Sequence, residues 1–168
     1  MSKVITFSRT FQKDHPKAGQ PTHFVEKIYK GLYVIKCVPD ELKETFNFDI
    51  MNDERVKPKY HTIRSGNRFK VGDEFSPRVW SGKPYCSKQI IIAPDIKVLK
   101  TWDFEIKVVE LSDGYASKIF INGKRTDPDL LKTVSRNDGL EMYDFISWFK
   151  FPKPFKGQII CWSNEVNY

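Results

Sequence analysis

Four side chains of the kind that enzymes use for proton transfer and nucleophilic attack lie close together in the sequence. They are Lys59, His61, Thr62 and Arg64, in the stretch KPKYHTIRSGNRFKVGDEFSPRVW at residues 57–80. A threonine hydroxyl is a weak nucleophile and needs an adjacent base. Lys59 can act as that base only if burial or a nearby cation, such as Arg64, lowers its pKa. His61, which titrates near neutrality, is an alternative base.

The conformation of this segment decides whether these side chains meet. In an extended strand, successive side chains point to opposite faces, which places Lys59 with His61 on one face and Thr62 with Arg64 on the other. A twist or a bulge would still let Lys59 reach Thr62. The alternative is an ordinary strand threonine beside a solvated lysine.

Cations and aromatic residues are interleaved through the same stretch and just beyond it. Guanidinium groups can pair with phosphate in a bidentate manner, and aromatic rings can stack on unpaired bases. The pattern indicates a surface that binds RNA or a nucleoside. The alternative is that Phe69 and Trp80 fill the core while the cations are only solvated. The candidate binding residues are His61, Arg64, Arg68, Lys70, Arg78, Trp80 and Lys83, with Phe69 and Tyr85 beside them.

Length and charge set the outer bounds of the molecule. The 168 residues predict one domain, 1–168, with enough chain to bury a core. Hydrophobic residues make up 40% of the chain and aromatic residues 14%, a composition typical of a folded protein and not of a disordered one. The net charge of +7 favours an anionic partner, with nucleic acid first and solubility alone as the alternative.

The cysteines and the apolar segments predict the environment of the chain. Cys37, Cys86 and Cys161 are far apart and form no metal-ligand spacing, so we expect no metal site and no cofactor. Each has apolar neighbours and is predicted to be buried as a free thiol, which suits the cytoplasm. No run of apolar residues is long enough to span a membrane, and the N-terminal residues lack the apolar core of a secretion signal.

The first third of the chain predicts one strand and then helices and loops. Residues 4–11 form the strand, and Thr22 caps a helix over residues 23–33 whose apolar stripe is Phe24, Ile28 and Leu32. Another helix begins at 39–41. His15 and His23, beside a proline- and glycine-containing loop, are predicted to face solvent. Residues 12–58 therefore form an inserted helix-and-loop segment that packs on a β core.

The rest of the chain is rich in short strands separated by turns. Strands are predicted over 74–80, 87–93, 96–110, 116–121 and 157–162, and helices over 127–134 and 138–150. Pro77 places the first of these strands at a sheet edge, whereas the run Ile90–Ile92 indicates a buried strand. Short strands with turn signals and a few peripheral helices predict an α+β fold built on a small mixed β-barrel.

Asp138 begins the last predicted helix and has two interpretations. Its spacing from Glu141 matches a capping box in which aspartate replaces the usual serine or threonine. The alternative is a role at the site, and one role does not exclude the other.

The short motifs together resemble the ASCH family of the PUA-like superfamily, and most of all its small bacterial 4-acetylcytidine amidohydrolases. That branch combines an I-T-F…F-Q segment, a K-x-x-T-x-R motif, a basic loop and F-K-x-G-D. This chain departs from the pattern in three ways: Lys57 replaces a glycine, Asp138 replaces a glutamate, and tens of residues separate the first two motifs. The matching residues are Ile5–Phe7, Phe11, Gln12, Lys59, Thr62, Arg64 and Phe69–Asp73.

The resemblance implies a PUA-like barrel and a set of roles for three residues. Thr62 would be the nucleophile, Lys59 its activator and Asp138 the acidic third member. Two functions follow as expectations: a module that binds RNA or a modified nucleoside around Lys59–Arg64, or an amidohydrolase that removes an acyl group from a nucleoside such as 4-acetylcytidine. A protein-interaction module that docks through the inserted helices is a further alternative.

Overall fold

The computed structural model describes residues 2–35, 52–54 and 56–168. Strands and helices both occur there, so the predicted α+β class is confirmed. The helix predicted from Pro39 and the residue Cys37 lie outside the described residues. In chain order the elements are β1 (Lys3–Phe7), α1 (Phe24–Val34), β2 (His61–Ser65), β3 (Glu74–Trp80), β4 (Gln89–Ile91), β5 (Ile96–Lys97), β6 (Lys100–Leu111), β7 (Gly114–Ile121), β8 (Lys124–Arg125), α2 (Pro128–Asn137), α3 (Met142–Trp148) and β9 (Phe155–Cys161).

The first sheet is built around β3. Its neighbours are β1, which runs parallel to it, and the short antiparallel strands β4 and β5. The prediction that Pro77 marks an edge strand is therefore wrong. Pro77 lies between the ladder of β4, which pairs with residues 78–80, and that of β5, which pairs with residues 74–75. Its carbonyl oxygen still accepts a hydrogen bond from the Ile92 N–H at 3.0 Å, and its missing N–H interrupts neither ladder.

The second sheet is antiparallel and carries the strands in the order β2-β9-β6-β7-β8. Its second strand, β9, pairs with β2 on one side, where His61 lies opposite Cys161, and with the central strand β6 on the other. Alternation along β6 places Phe104 and Ile106 in the core. A turn after Leu111 and another at Asn122–Gly123 join β6, β7 and β8, as the turn residues predict.

The strands of the described residues form two sheets and no closed barrel. In these sheets β1 pairs only with β3, and β2 pairs only with β9, so each presents an unpaired edge. A side chain connects the two edges, since Arg64 Nη2 donates to the carbonyl oxygen of Thr6 at 2.8 Å. Because side chains and not backbone hydrogen bonds bridge the two edges, there is room for a cavity between them.

The helices pack on the sheets through apolar residues. Phe24, Ile28 and Leu32 of α1 are buried in the common core, as the predicted stripe requires. The residue before α1 is His23 and not Thr22, although the Thr22 hydroxyl accepts a hydrogen bond from the Phe24 N–H at 3.3 Å. The helix of the inserted segment is thus part of the main core.

Three other burial predictions are wrong. Of the run Ile90–Ile92, Ile90 and Ile91 are exposed because β4 is a short strand that pairs only with β3 within the described sheet, whereas Ile92 is buried as predicted. Cys86 is exposed in the loop before β4, whereas Cys161 at the end of β9 is buried as predicted. His15 is buried, because its ring stacks on Phe11 with the ring centroids 4.3 Å apart.

Candidate functional site

A cavity of about 360 Å³ lies between the unpaired edges of β1 and β2. Residues of α1, α3 and the loop after β3 complete its wall. It brings together all three residues that the sequence offered as catalytic. The lining residues are Thr6, Phe7, Ser8, Gln12, Phe24, Lys59, Thr62, Ile63, Arg64, Trp80, Pro84, Tyr85, Asp138 and Trp148.

Lys59 lies in the segment that leads into β2, and this segment packs against α1. Its backbone N–H donates to the carbonyl oxygen of Lys27 in α1 at 2.8 Å. The helix approaches this closely because Gly31 has no Cβ, and a Cβ there would overlap the carbonyl oxygen of Lys59. The Lys59 side chain is 1% exposed, and its ammonium lies 4.5 Å from the centre of the Phe24 ring.

The Lys59 ammonium is paired with Asp138. Nζ donates to the Asp138 Oδ1 at 2.6 Å and also to the Asp138 carbonyl oxygen. Asp138 follows the last residue of α2, and the next residue, Gly139, has a φ of 80° that turns the chain away. The predicted capping box is wrong, because α3 begins at Met142 with Glu141 as the preceding residue and no side-chain cap. The carboxylate is thus free to bind Lys59.

Burial shifts both members of this pair toward their neutral forms. It lowers the pKa of Lys59 from 10.5 to about 8; Asp138 opposes that change, while the positive charges of Arg64 and Lys27 reinforce it. It also raises the pKa of the Asp138 carboxyl, although Lys59, Arg64 and Lys27 oppose this. A larger fraction of Lys59 is therefore neutral and able to accept a proton near pH 7 than for an exposed lysine.

Thr62 is a buried residue of β2 that faces the cavity. Its backbone pairs with Ile160, and no partner for its hydroxyl occurs within the described part of the chain. Strict alternation predicted Lys59 and Thr62 on opposite faces. Both line the cavity because β2 begins only at His61, so the alternation does not extend back to Lys59. The hydroxyl is free to bind a ligand.

Arg64 closes the cavity at the other end of β2. Burial lowers the pKa of its guanidinium, whose carbon lies 5.2 Å from the centre of the Phe7 ring. One Nη group holds Thr6, whereas the buried Nε has no partner among the described residues. Gly157 allows β9 to approach the Arg64 backbone closely, because a Cβ at that position would overlap the Arg64 carbonyl oxygen. Arg64 can therefore offer a fixed cation to a ligand.

The aromatic residues at the site have different positions. Phe69 is a core residue, with its backbone N–H and carbonyl both bound by the Gln158 amide at 2.9 and 3.0 Å. Trp80 lines the cavity, and its ring centroid lies 5.3 Å from that of the exposed Tyr85. Of the two rings that the sequence left open, Phe69 belongs to the core and Trp80 to the site.

The remaining predicted binding cations do not gather around the cavity. Arg68 lies at an adjoining cavity of about 390 Å³, which Arg64 also lines. Arg78 donates to Ser76 and Gln89, both at 3.2 Å, and does not line the cavity. Lys70 and Lys83 are exposed in loops. The structure thus separates a compact site from scattered surface charge.

Two groups of residues were missed from sequence. Gln12, Phe24 and Trp148 line the cavity; the first two belonged to a motif and to an apolar stripe, but neither indicated a place at the site. Asn137 and Tyr168 bind one another behind the site, and no pattern in the sequence connects them.

None of the helices in the described ranges has the length and apolar character needed to cross a membrane. Likewise, residues 2–35, 52–54 and 56–168 contain no group of three or more His, Cys, Asp or Glu side chains placed to hold a metal ion. Compared with known protein families, curated proteins and solved structures, the chain matches none of them.

Proposed function

We propose that the cavity binds one modified pyrimidine nucleoside, either free or at an unpaired position of RNA. The observation that carries this proposal is the lining of the cavity, in which aromatic side chains lie next to a few fixed polar groups. Its volume of about 360 Å³ lies within the range of about 300–1,000 Å³ typical of small-molecule sites. Trp80 offers a face for stacking, while Thr62 and Arg64 offer hydrogen bonds.

A second candidate function, removal of an acyl group from the exocyclic nitrogen of the base, is favoured by the Lys59–Asp138 pair beside Thr62. This is the chemistry that the resemblance to the ASCH amidohydrolases implies. Thr62 and Lys59 line the same cavity, and burial lowers the pKa of Lys59 to about 8. A hydroxyl nucleophile needs a base of this kind within its reach.

The reaction would proceed through an acyl-threonine ester. Neutral Lys59 takes the proton of the Thr62 hydroxyl while Oγ1 attacks the acyl carbonyl carbon. The carbon–nitrogen bond then breaks, and the Lys59 ammonium returns the proton to the leaving amino group. Water hydrolyses the ester, and the carboxylic acid departs. Arg64, whose buried Nε has no partner in the described part of the chain, would stabilise the negative charge that develops on the acyl oxygen.

Asp138 would hold Lys59 in place and balance its charge when the proton arrives. The family glutamate is one methylene longer, but in this chain Lys59 Nζ reaches the aspartate at 2.6 Å. The contact is made because Asp138 lies at the end of α2 directly beside Lys59. The shorter carboxylate is thus compatible with the proposed role.

The test compares three proteins with 4-acetylcytidine as substrate, using chromatography for turnover and calorimetry for binding. The variants are Thr62→Ala and, as a matched control, Thr101→Ala. Thr62 and Thr101 flank the same residue, Ile160, on opposite sides of β9, but only Thr62 lines the cavity. We expect Thr62→Ala to bind the nucleoside without turnover and Thr101→Ala to behave as wild type.

Other outcomes separate the two functions. Binding without turnover by the wild-type protein would overturn the hydrolase and leave the binding proposal. If the protein does not bind the nucleoside but binds single-stranded RNA in a salt-sensitive manner, the RNA binds through the surface cations and not in the cavity. Phosphate contacts weaken steeply with salt, which is why salt identifies them. Absence of both would overturn the proposed function.

A further inference from the structure

His61 is fully buried and is not among the residues that line the cavity. Its Nε2 lies 2.7 Å from the phenolic oxygen of Tyr168, and the two rings meet edge to face. Burial and the nearby Lys59 charge lower the pKa of His61 well below its usual value, so the ring is neutral. A neutral ring carries one proton, and its position determines what His61 can do.

The partners of Tyr168 determine that position. Asn137 Nδ2 donates to the Tyr168 oxygen at 2.9 Å, which occupies an acceptor site of the phenol. The phenol has one proton to donate, and among the described residues its remaining polar partner is His61 Nε2. Because Nε2 then accepts, the ring proton must be on Nδ1.

His61 Nδ1 faces the ion pair formed by Lys59 and Asp138. It lies 3.6 Å from Asp138 Oδ1, the same oxygen that Lys59 binds at 2.6 Å. At this distance the contact is electrostatic and is not a hydrogen bond, and Nδ1 has no hydrogen-bond partner among the described residues. An N–H dipole close to a buried carboxylate still favours the ionised form, because water is excluded there.

We propose that Tyr168 and Asn137 lock His61 in the Nδ1–H tautomer, and that His61 in this form is a positioning residue that keeps Asp138 ionised against Lys59. The contribution of His61 to catalysis rests on the proposed function. The tautomer itself is a property of the free protein and can be measured without any substrate.

The charged groups that face Asp138 are all positive. They are the ammonium groups of Lys59 and Lys27 and the guanidinium of Arg64, and each lowers the pKa of the carboxyl. They remain when Tyr168 is changed, so a substitution there isolates the contribution of the histidine.

The molecule contains its own reference for the opposite tautomer. His15 is also buried, but its Nδ1 accepts a hydrogen bond from the Lys17 N–H at 3.0 Å. Its Nε2 lies 3.1 Å from the carbonyl oxygen of Asp144, which can only accept. Neutral His15 therefore carries its proton on Nε2. His23 is exposed and provides the solvent-averaged reference.

The experiment is two-dimensional NMR of the full chain with ¹⁵N-labelled histidine at about pH 8, where an ordinary histidine is neutral. For the wild type we expect Nδ1–H at His61 and Nε2–H at His15. In Tyr168→Phe, which removes only the phenolic oxygen, we expect His61 to populate both tautomers. The Asp138 carboxyl, followed by ¹³C NMR, should titrate about half to one pH unit higher.

Tyr60→Phe is the matched control. Tyr60 precedes His61 and is half-buried, but its phenol does not bind the ring, so the His61 tautomer and the Asp138 titration should not change. An unchanged His15 signal shows that each variant is folded.

Two results overturn the proposal. Nε2–H or a doubly protonated ring at His61 in the wild type contradicts the lock. A changed tautomer in Tyr168→Phe with an unchanged Asp138 titration contradicts the positioning role. Failure of the proposed function would appear differently, as absence of nucleoside binding with the tautomers as described.

Discussion

Two buried aspartates of this protein have similar neighbours and different surroundings. Asp138 lies beside Lys59 and His61, and Asp144 lies beside Lys17 and His15. The carboxylate side chains are 6% and 7% exposed, and the lysine contacts are 2.6 and 2.7 Å long. The lysines differ: Lys59 is 1% exposed and Lys17 is 47% exposed.

This difference shows that a contact distance does not determine the chemistry of an ion pair. Water solvates the ammonium of Lys17, which comes from the loop between β1 and α1. Lys59 has no such access because α1 and Asp138 enclose it, and its pKa falls to about 8. The two ion pairs have nearly the same N–O distance. The burial of the lysine, and not this distance, allows Lys59 to act as a base.

The first test of the comparison removes each ammonium in turn. Lys59→Met leaves the buried Asp138 without its cation, and we expect the free energy of unfolding to fall by about 3–5 kcal/mol. Lys17→Met should cost only about 0–1 kcal/mol, since solvent screens that pair. Urea unfolding of both variants at pH 7 measures the difference. Equal costs would show that the exposure of the lysine does not matter.

The second test uses pH to isolate Lys59. The folded protein releases the Lys59 proton near pH 8, whereas the unfolded chain keeps it up to about pH 10.5. Between these pH values the unfolded chain binds more protons than the folded protein. The free energy of unfolding that Lys59 contributes therefore increases as the pH rises. A difference of about 2.5 pH units is equivalent to about 3 kcal/mol.

We therefore expect the stability of the wild type to increase relative to Lys59→Met from pH 8 to pH 10.5. Unfolding curves of the two proteins at matched pH values measure this. Parallel pH profiles would mean that Lys59 keeps its ordinary pKa in the folded protein.

Much of the local structure could be predicted from residue patterns. Strand β3 has the bounds that its β-branched and aromatic residues indicate, and the apolar stripe of α1 is buried as its spacing requires. These elements depend on neighbours in the sequence. The parallel pairing of β1 with β3 does not, and that pairing is the reason why Pro77 lies in a central strand.

The candidate site was predictable in its members but not in its arrangement. Lys59, Thr62 and Asp138 line one cavity, although strict alternation separated the first two and a helix cap was one of two interpretations of the third. Their meeting depends on where β2 begins and on the left-handed turn at Gly139. The burial of His15 likewise depends on packing against Phe11, which a polar loop sequence does not indicate.

A third test asks whether the enclosure by α1 is what distinguishes Lys59. In Gly31→Ala the new methyl would overlap the Lys59 carbonyl oxygen, so helix and chain must separate. We expect a loss of about 1–3 kcal/mol from overpacking. Water entering the gap should also raise the pKa of Lys59 toward 10.5, which ¹³C NMR of the lysine can follow.

Gly19→Ala is the control for that substitution. Gly19 has a φ of 78° and no atom near the added methyl, so alanine there costs about 1–2 kcal/mol of backbone strain alone. It should leave the Lys59 pKa unchanged. A Lys59 pKa near 8 in Gly31→Ala would show that Asp138 alone, and not the helix, sets the environment of the lysine.

The smallest effect comes from salt, which acts on the two pairs unequally. The screening length falls from about 30 Å at 0.01 M salt to about 3 Å at 1 M, and only charges in contact with solvent are strongly affected. We expect the cost of Lys17→Met, already no more than about 1 kcal/mol, to approach zero as salt rises. The cost of Lys59→Met should stay constant, because no ions reach a side chain that is 1% exposed. Unfolding of both variants at the two salt concentrations measures this, and a salt-dependent cost at Lys59 would mean that the cavity admits solvent and ions to the pair.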